Sequence, residues 1–259
     1  MSPAFGRSLL SALRGGWSSI LMIAMATHGL VGRYGITNPV VREHSARQIV
    51  FSGAYAVPLV LFLGVTTGGA LLSSLGIFFP GAQNQSAVTR AAVHILSREA
   101  APMVAALVLI VRSCPAIVVE LGYMRTRGEI DAMSALGVDP LRLVVVPRFV
   151  GLVTAALGLA ALFLAAAQAG GIGAAVFLGI ENDPRIAAWS FLAHLEVTDL
   201  LSAAVKALVF GLILAALSCR AGLSVPRDLT RIPPAVTRTL VSALVTCVLL
   251  SALLSILLP

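Results

Sequence analysis

Residues 120–148 read ELGYMRTRGEIDAMSALGVDPLRLVVVPR, and they are the longest interval of dense charge in a chain that is otherwise mostly apolar. Apolar residues recur at helical spacing from Ile117 to Leu136, so a helix here would carry one apolar stripe and one charged face. Asp139 precedes Pro140, and a residue before proline disfavours helical dihedrals, so the helical pattern should end there. Between two membrane-spanning helices, such a segment would lie along the membrane surface with its charged face toward the cytosol.

The composition identifies an integral membrane protein. Hydrophobic residues make up 58% of the 259 positions and charged residues only 11%, whereas soluble domains typically contain about 25% charged residues. The formal net charge of +7 could indicate a nucleic-acid partner. In a chain with several membrane spans, basic residues more simply retain loops on the cytoplasmic side, so we expect no nucleic acid.

Five apolar stretches are long enough to cross a bilayer as helices, and the sequence predicts an all-α fold. The first stretch exceeds the ~30 Å hydrocarbon core, so it should tilt, kink or protrude, with Pro58 as the kink site. In the second, Arg112 and Pro115 interrupt the apolar run, so the helix should emerge or bend between them. The predicted spans are approximately 48–79, 100–119, 149–178, 200–217 and 235–258.

The residues from 1 to about 35 predict an amphipathic helix in the membrane interface. Leucines and aromatic residues fall on one face, with Arg7 and Arg14 among them. The alternative is a cleaved signal peptide, with these two arginines as its basic region and residues 24–26 as its cleavage site. We favour a retained helix because basic residues continue from Arg33 to Arg47.

The distribution of basic residues sets the expected orientation. Five arginines precede the first span, five lie in residues 112–148 and four in residues 220–238, against three in the intervening loops. With Lys206 set aside, the positive-inside rule places the N-terminus in the cytoplasm and the C-terminus on the periplasmic side. Residues 120–148 then face the cytoplasm.

The sequence lacks the motifs of an ATPase or a hydrolase. There is no GxxxxGKS or GxxxxGKT, and the single lysine lies in the fourth span, so this chain should not bind ATP through a P-loop. No GxSxG elbow is present, so we expect no catalytic residues, and any energy must come from a separate subunit. The cysteines and histidines fit no metal-ligand spacing, and the cysteines should pack as small apolar residues without disulfides. These residues are Cys114, Cys219, Cys247, His28, His44, His94 and His194.

Four charged residues lie near the outer ends of the second and fourth spans: Arg98, Glu99, Asp199 and Lys206. A lysine inside a bilayer costs a few kcal/mol unless it pairs, snorkels or faces water. One interpretation is a polar patch in the outer half of a lipid cavity, where these groups would meet a phosphate headgroup or open a path to the periplasm. The other is a snorkelling lysine beside an interfacial ion pair.

The carboxylates of the opening segment also allow two interpretations. Glu120, Glu129, Asp131 and Asp139 could be paired for acid–base catalysis, but no histidine or nucleophile accompanies them. Their amphipathic spacing favours a solvated surface on which a partner docks. We therefore favour coupling to a cytosolic partner over catalysis.

The same segment carries a family resemblance. Its residues at 120–122, 129–132, 136–140 and 146–148, together with Met124, closely resemble the signature of MlaE/YrbE permeases. These permeases are the membrane subunits of ABC transporters that move phospholipid or related lipids with MCE-domain partners. The match is specific because many fixed spacings recur over a short stretch.

The resemblance implies a single permease domain over residues 1–259, with an interfacial helix at about 1–35 and a coupling helix at about 116–140. It also implies a homodimer in the cell inner membrane, a pair of cytosolic ABC ATPases that bind ATP and magnesium, and an MCE-domain hexamer on the outer face. A small accessory cytosolic subunit fits the same assembly, and phospholipid would be the cargo. By this analogy the residues that couple to the ATPase are Glu120, Gly122, Arg125, Glu129, Asp131, Gly137, Asp139 and Pro140.

Two other classes of function stay open on the sequence. An intramembrane enzyme could act on lipids through Arg98, Glu99, Asp199 and Lys206, and would form product as an isolated chain. A passive channel or structural scaffold would need no ATPase. Co-purification with an ATPase would favour the permease.

Overall fold

The computed structural model describes residues 39–78, 85–179 and 183–257, and within these ranges every regular element is helical. The predicted interfacial helix at residues 1 to about 35 lies outside the described residues. Five helical stretches are long and apolar enough to cross a membrane, which confirms the predicted all-α fold with five spans. These stretches are Arg42–Gly76, Ala87–Thr126, Leu143–Phe177, Val197–Leu223 and Leu229–Leu257.

Nine α-helices make up the described chain, joined in places by short 3₁₀ or π-helical turns. They are α1 (Pro39–Ser52), α2 (Val57–Phe78), α3 (Gln85–Ile95), α4 (Ala101–Thr126), α5 (Glu129–Ala135), α6 (Val146–Phe177), α7 (Pro184–Ala193), α8 (Val197–Leu223) and α9 (Ile232–Leu257).

The first span passes from α1 to α2 through a 3₁₀ turn, a few residues before the predicted kink site. Gly53 is followed by a 3₁₀ turn at Ala54–Ala56, and α2 begins at Val57. Pro58 is the second residue of α2, where a proline is tolerated because the amide hydrogens of the first turn have no partner within the helix.

The helix is continuous at Arg112, where the sequence predicted that it emerges or bends. Helix α4 runs without interruption from Ala101 to Thr126 and keeps Pro115 inside it. The Arg112 guanidinium donates to the backbone carbonyl of Tyr55 and lies over the Tyr55 ring, 5.6 Å from its centre. Because a neighbouring helix satisfies this charge, the helix does not have to leave the apolar layer at that point.

Helix α6 lies at the centre of the bundle and packs against α1, α2, α4 and α8. Its contact with α2 is close because glycines face backbone on both sides. A Cβ at Gly68 would overlap the backbone of Ala167, and a Cβ at Gly170 would overlap the backbone of Val65. Helix α9 packs against α4 and α8 at the periphery, and most of its side chains face outward.

The polar parts of the chain lie at two opposite ends of the bundle. Helix α5 and the loop at residues 224–231 meet at one end, which we call the α5 end. Helices α3 and α7 contact each other at the other end, which we call the α7 end. Each end holds one of the two groups of residues that the sequence singled out.

Candidate functional site

A wide helical turn introduces the first group of residues. Between α3 and α4 the chain forms a π-helical segment at Leu96–Ala100, which carries Arg98 and Glu99. Such a segment holds one residue more than an α-helical turn and therefore changes the direction of the side chains within it. Here it brings both charged residues against α8.

Lys206 is the centre of this group, which we call the charge cluster (Arg98, Glu99, Asp199 and Lys206). The side chain is only 1% exposed. Its Nζ donates to Glu99 Oε1 at 2.6 Å, to the Arg98 backbone oxygen at 3.0 Å and to Ser255 Oγ at 2.9 Å. An ammonium group has three donors, and all three are satisfied.

Glu99 connects the cluster to the last helix and to its surroundings. Its side chain is 45% exposed, in contrast to that of Lys206. Ser255 Oγ donates to Glu99 Oε1 at 2.8 Å, and Ser251 Oγ lies 3.5 Å from Oε2. The two serines are four residues apart on α9 and face the cluster together. The carboxylate thus joins α4, α8 and α9 while keeping one side accessible.

Asp199 forms the second ion pair of the cluster, about two turns from Lys206 along α8. The carboxylate is buried and accepts from Arg98 Nε at 2.6 Å. His94 Nδ1 lies 3.3 Å from the same oxygen. Arg98 therefore contributes its backbone carbonyl to Lys206 and its guanidinium to Asp199, and one residue links the two pairs.

The structure brings together all four residues of the predicted polar patch and adds three that were not predicted to belong to it. Ser251 and Ser255 are polar at i and i+4 in the otherwise apolar C-terminal part of α9, a spacing that could have indicated a shared partner. His94 was assigned no role from the sequence, and it lies beside Asp199 because α3 continues directly into the wide turn. Contact of the cluster with lipid stays a prediction.

The second group of predicted residues lies at the α5 end and is centred on Asp131. Its carboxylate accepts from Arg125 Nη1 at 2.8 Å and from Arg227 Nη2 at 2.5 Å. These contacts attach α5 to the last turn of α4 and to the loop at residues 224–231. The hydrogen bond from Arg227 is the main cause that lowers the pKa of Asp131 from its ordinary value of 3.8, and Arg125 adds to the effect.

The predicted coupling helix at about 116–140 is divided into two helices. Helix α4 ends at Thr126, and α5 begins at Glu129 and is only seven residues long. Between them Gly128 has φ of 75°, a left-handed conformation that a glycine adopts without strain. The periodic pattern continues across this turn in sequence, so the pattern alone did not show the break.

A second glycine turn follows α5, and an aspartate then accepts a hydrogen bond from the start of the next segment. Gly137 has φ of 74°, and Asp139 Oδ1 accepts from the backbone amide of Leu141 at 3.0 Å. Pro140 follows Asp139, and a short π-helical segment at Leu141–Val145 leads into α6. The predicted end of the helical pattern before Pro140 agrees with this turn.

The remaining predicted coupling residues differ in exposure. Glu120 is exposed and pairs with the buried Arg148 of α6, with 2.9 Å between Glu120 Oε2 and Arg148 Nη2. Glu129 is half-exposed, 3.9 Å from Arg127. Gly122 is buried, and a Cβ there would lie 3.2 Å from the Ile232 side chain, so this position packs α4 against the start of α9. Gly122 therefore lies below the surface on which a partner could dock.

The cysteines take no part in either group. Cys114, Cys219 and Cys247 are buried and free. Within the described ranges, no three His, Cys, Asp or Glu side chains come together as metal ligands.

Comparison with known proteins places this arrangement in a family context. A family model described as permease MlaE matches residues 45–257. A probable ABC transporter permease protein of Rickettsia conorii is 32% identical over 178 residues, which are 68% of each chain. The intermembrane phospholipid transport system permease protein MlaE of Haemophilus influenzae is 26% identical over 219 residues, covering 80% of this chain and 81% of that protein.

Proposed function

The chain belongs to the MlaE permease family, and from this premise we propose that it is the membrane subunit of an ABC transporter that moves phospholipid or a related lipid. ATP hydrolysis in a separate cytosolic subunit would drive the movement. The names of the Rickettsia and Haemophilus relatives support the transporter class and the phospholipid cargo. The five apolar spans support a multi-pass position in the membrane.

The contrast in exposure between Lys206 and Glu99 is the observation that carries this proposal. Lys206 is fully enclosed, whereas its partner carboxylate is 45% exposed within an otherwise apolar helix bundle. In the proposed mechanism the phosphate of a phospholipid headgroup takes the place of the Glu99 carboxylate beside the enclosed ammonium. The surrounding apolar surface suits the acyl chains.

The α5 end is the proposed docking surface for the ATPase. Charged groups of Arg125, Asp131 and Arg227 lie on the surface there, and Leu136 and Val138 are exposed beside them. A surface that combines an exposed apolar centre with a charged surround is typical of a protein interface. ATP and magnesium would be bound by the ATPase and not by this chain.

We place the assembly in the cell inner membrane, with the α5 end in the cytoplasm and the C-terminus in the periplasm. The basic residues concentrated on the loops of the α5 end support this orientation. Two copies of the chain, two ATPases, an MCE-domain hexamer on the outer face and a small cytosolic accessory subunit complete the proposed assembly. The outward apolar side chains of α9 offer a surface for lipid or a second copy.

The geometry disfavours the alternative of an intramembrane enzyme. A catalytic lysine needs a lone pair, but Lys206 Nζ donates to three acceptors and lies 2.6 Å from a carboxylate, as expected for a charged ammonium.

Reconstitution with the partner ATPase and the MCE protein tests the proposed cargo site. Replacing Lys206→Met removes the charge and retains an apolar chain, and lipid transfer between labelled and acceptor vesicles should fall at least tenfold. Arg47→Gln is the matched control because it breaks an exposed ion pair to Glu43 on α1, and it should leave transfer unchanged. Full transfer by a well-folded Lys206→Met protein would overturn the cargo site, and product formation by the isolated chain would overturn the permease.

A second pair of variants tests the docking surface. Removing the charges of Glu129 and Asp131 together (Glu129→Gln with Asp131→Asn) should uncouple lipid transfer from ATP hydrolysis, because α5 loses its attachment to Arg227. The matched control is Asp183→Asn at the α7 end, where asparagine can still cap the helix. Normal lipid-stimulated ATPase activity in the double variant would contradict the docking assignment.

A further inference from the structure

Helix α7 is a short, largely apolar helix that belongs to neither charged group. It covers Pro184–Ala193, and its first turn is capped by Asp183, whose side chain accepts from the Arg185 amide at 2.9 Å. At about 1.5 Å per residue, ten residues make a helix of about 15 Å, half of what is needed to cross the hydrocarbon layer. Helix α7 must therefore lie at an end of the bundle.

The two faces of α7 differ sharply in exposure. Ala187 and Phe191, four residues apart, are each 1% exposed and pack into a small core formed with α2, α3 and α6. On the opposite face, Ile186 is 55% exposed, Trp189 75% and Leu192 58%, at successive spacings of three residues. The outward face thus presents three large apolar side chains without a partner among the described residues.

The position of α7 in the bundle suggests what covers this face. Helix α6 ends at Phe177 and α8 begins at Val197, so α7 lies at the level where two membrane spans end. Phe177 is 90% exposed and Val197 79% exposed, and both belong to the outward surface of those spans. The apolar face of α7 therefore continues the surface that the spans present to lipid.

We infer that α7 is an interfacial helix whose outward face, formed by Ile186, Trp189 and Leu192, is embedded at the headgroup level of the lipid leaflet on the α7 side. Tryptophan is enriched at this level because its ring is apolar and its N–H can reach polar groups. A helix with one apolar face binds a lipid surface in this way. The occupant is lipid and not a protein, because the face is continuous with the lipid-facing ends of α6 and α8.

The fluorescence of Trp189 tests this inference independently of transport or ATPase activity. The chain has two tryptophans, so Trp17→Phe leaves Trp189 as the single reporter. This variant is placed in nanodiscs of phosphatidylcholine brominated at either a shallow or a deep acyl position. Emission should be quenched by the brominated lipid, more strongly at the shallow position, and it should be little affected by iodide in the water.

A matched control moves the reporter to a polar loop. With both native tryptophans changed to phenylalanine and Thr230→Trp added at the α5 end, iodide should quench and brominated lipid should not. Thr230 is exposed and lies in the short 3₁₀ turn Leu229–Arg231 that precedes α9. If Trp17→Phe does not fold, the difference in emission between the wild-type chain and Trp189→Phe supplies the same measurement.

Two results would overturn the inference. Quenching of Trp189 by iodide but not by brominated lipid would show that the face is exposed to water. Protection from both quenchers would show that the face is covered by protein, which in this preparation is a second copy of the chain. Because the reconstitution contains only this chain and lipid, failure here leaves the proposed transport function untouched.

Discussion

Lys206 shows how a single charged side chain is stabilised inside an apolar helix bundle. An isolated charge within the hydrocarbon layer is costly. Here a carboxylate, a backbone carbonyl and a hydroxyl each accept a hydrogen bond from the Lys206 ammonium. The lone lysine and the Arg98–Glu99 pair were identifiable from the sequence. Their hydrogen-bond partners on α9 were not, because a serine in an apolar helix usually bonds to its own backbone.

The unequal exposure of the Lys206–Glu99 pair predicts unequal effects on stability. Glu99→Gln leaves an enclosed ammonium without its carboxylate and should cost roughly 3 kcal/mol. Lys206→Met leaves a half-exposed carboxylate that solvent can reach and should cost roughly 1 kcal/mol. Thermal unfolding in detergent measures both, and the double variant should recover part of the Glu99→Gln loss. Equal effects of the two single changes would contradict the assigned exposure.

Asp131 predicts a pH dependence at the α5 end. Because folding lowers its pKa below 3.8, the ionised carboxylate contributes stability that is present above this value and lost as the pH falls through the lower pKa of the folded protein. Hydrogen-exchange protection of α5 should therefore be constant from neutral pH to about pH 5 and decline only below the ordinary carboxyl range. In Asp131→Asn the protection should be lower throughout and lack this acid transition. A transition near neutral pH would assign the effect to another group.

At the scale of the helices, the apolar pattern of the sequence did not predict where the helices begin and end. The apolar periodicity of residues 117–136 was real, yet Gly128 adopts a left-handed conformation and divides the segment into α4 and α5. Conversely, α4 continues through Arg112 and Pro115, where the sequence predicted that it emerges or bends. The backbone carbonyl of Tyr55 in the neighbouring span accepts a hydrogen bond from Arg112. A periodic pattern reports which face is apolar, whereas continuity depends on backbone conformation and on partners distant in sequence.

The close contact of α2 with α6 predicts a difference between two glycines. Gly68→Ala would place a methyl group against the backbone of Ala167, so the helices must separate, at a cost of about 1–3 kcal/mol. Gly158→Ala on α6 is the matched control because nothing lies within 4 Å of the new methyl group, and it should be neutral or stabilising. Thermal unfolding of both variants measures the difference. Equal midpoints would show that the two helices are not in this contact.

At the scale of the whole molecule, the distribution of basic residues predicts which end faces the cytoplasm. The three native cysteines are buried, so single cysteines introduced at exposed positions should be the main reactive thiols. In intact cells a membrane-impermeant maleimide should label Ala193→Cys at the α7 end. It should label Thr230→Cys, at the α5 end near Asp131, only after the cells are broken. The reverse pattern would invert the proposed assembly and remove the docking surface from the cytosol.

The sequence predicted the number of spans and the residues of both groups better than it predicted their partners. Hydropathy alone locates the spans, because a helix that crosses the hydrocarbon layer needs about twenty consecutive apolar residues. Arg227 beside Asp131 and His94 beside Asp199 depend on how distant helices meet, and no local spacing carries that information. The exposed face of α7 could not be predicted from the sequence either, because it is defined only once α2, α3 and α6 have covered the other side of the helix.

The wide turn at Leu96–Ala100 holds one residue more than an α-helical turn, so a one-residue deletion there has a specific consequence for the protein. Deleting one residue there would let the turn close to ordinary α-helical pitch, while the helix on either side kept its neighbours. Only Arg98 and Glu99 would swing away from α8. The chain could thus lose its internal charge pairing through a change of length alone, with every amino acid of the pairing still present.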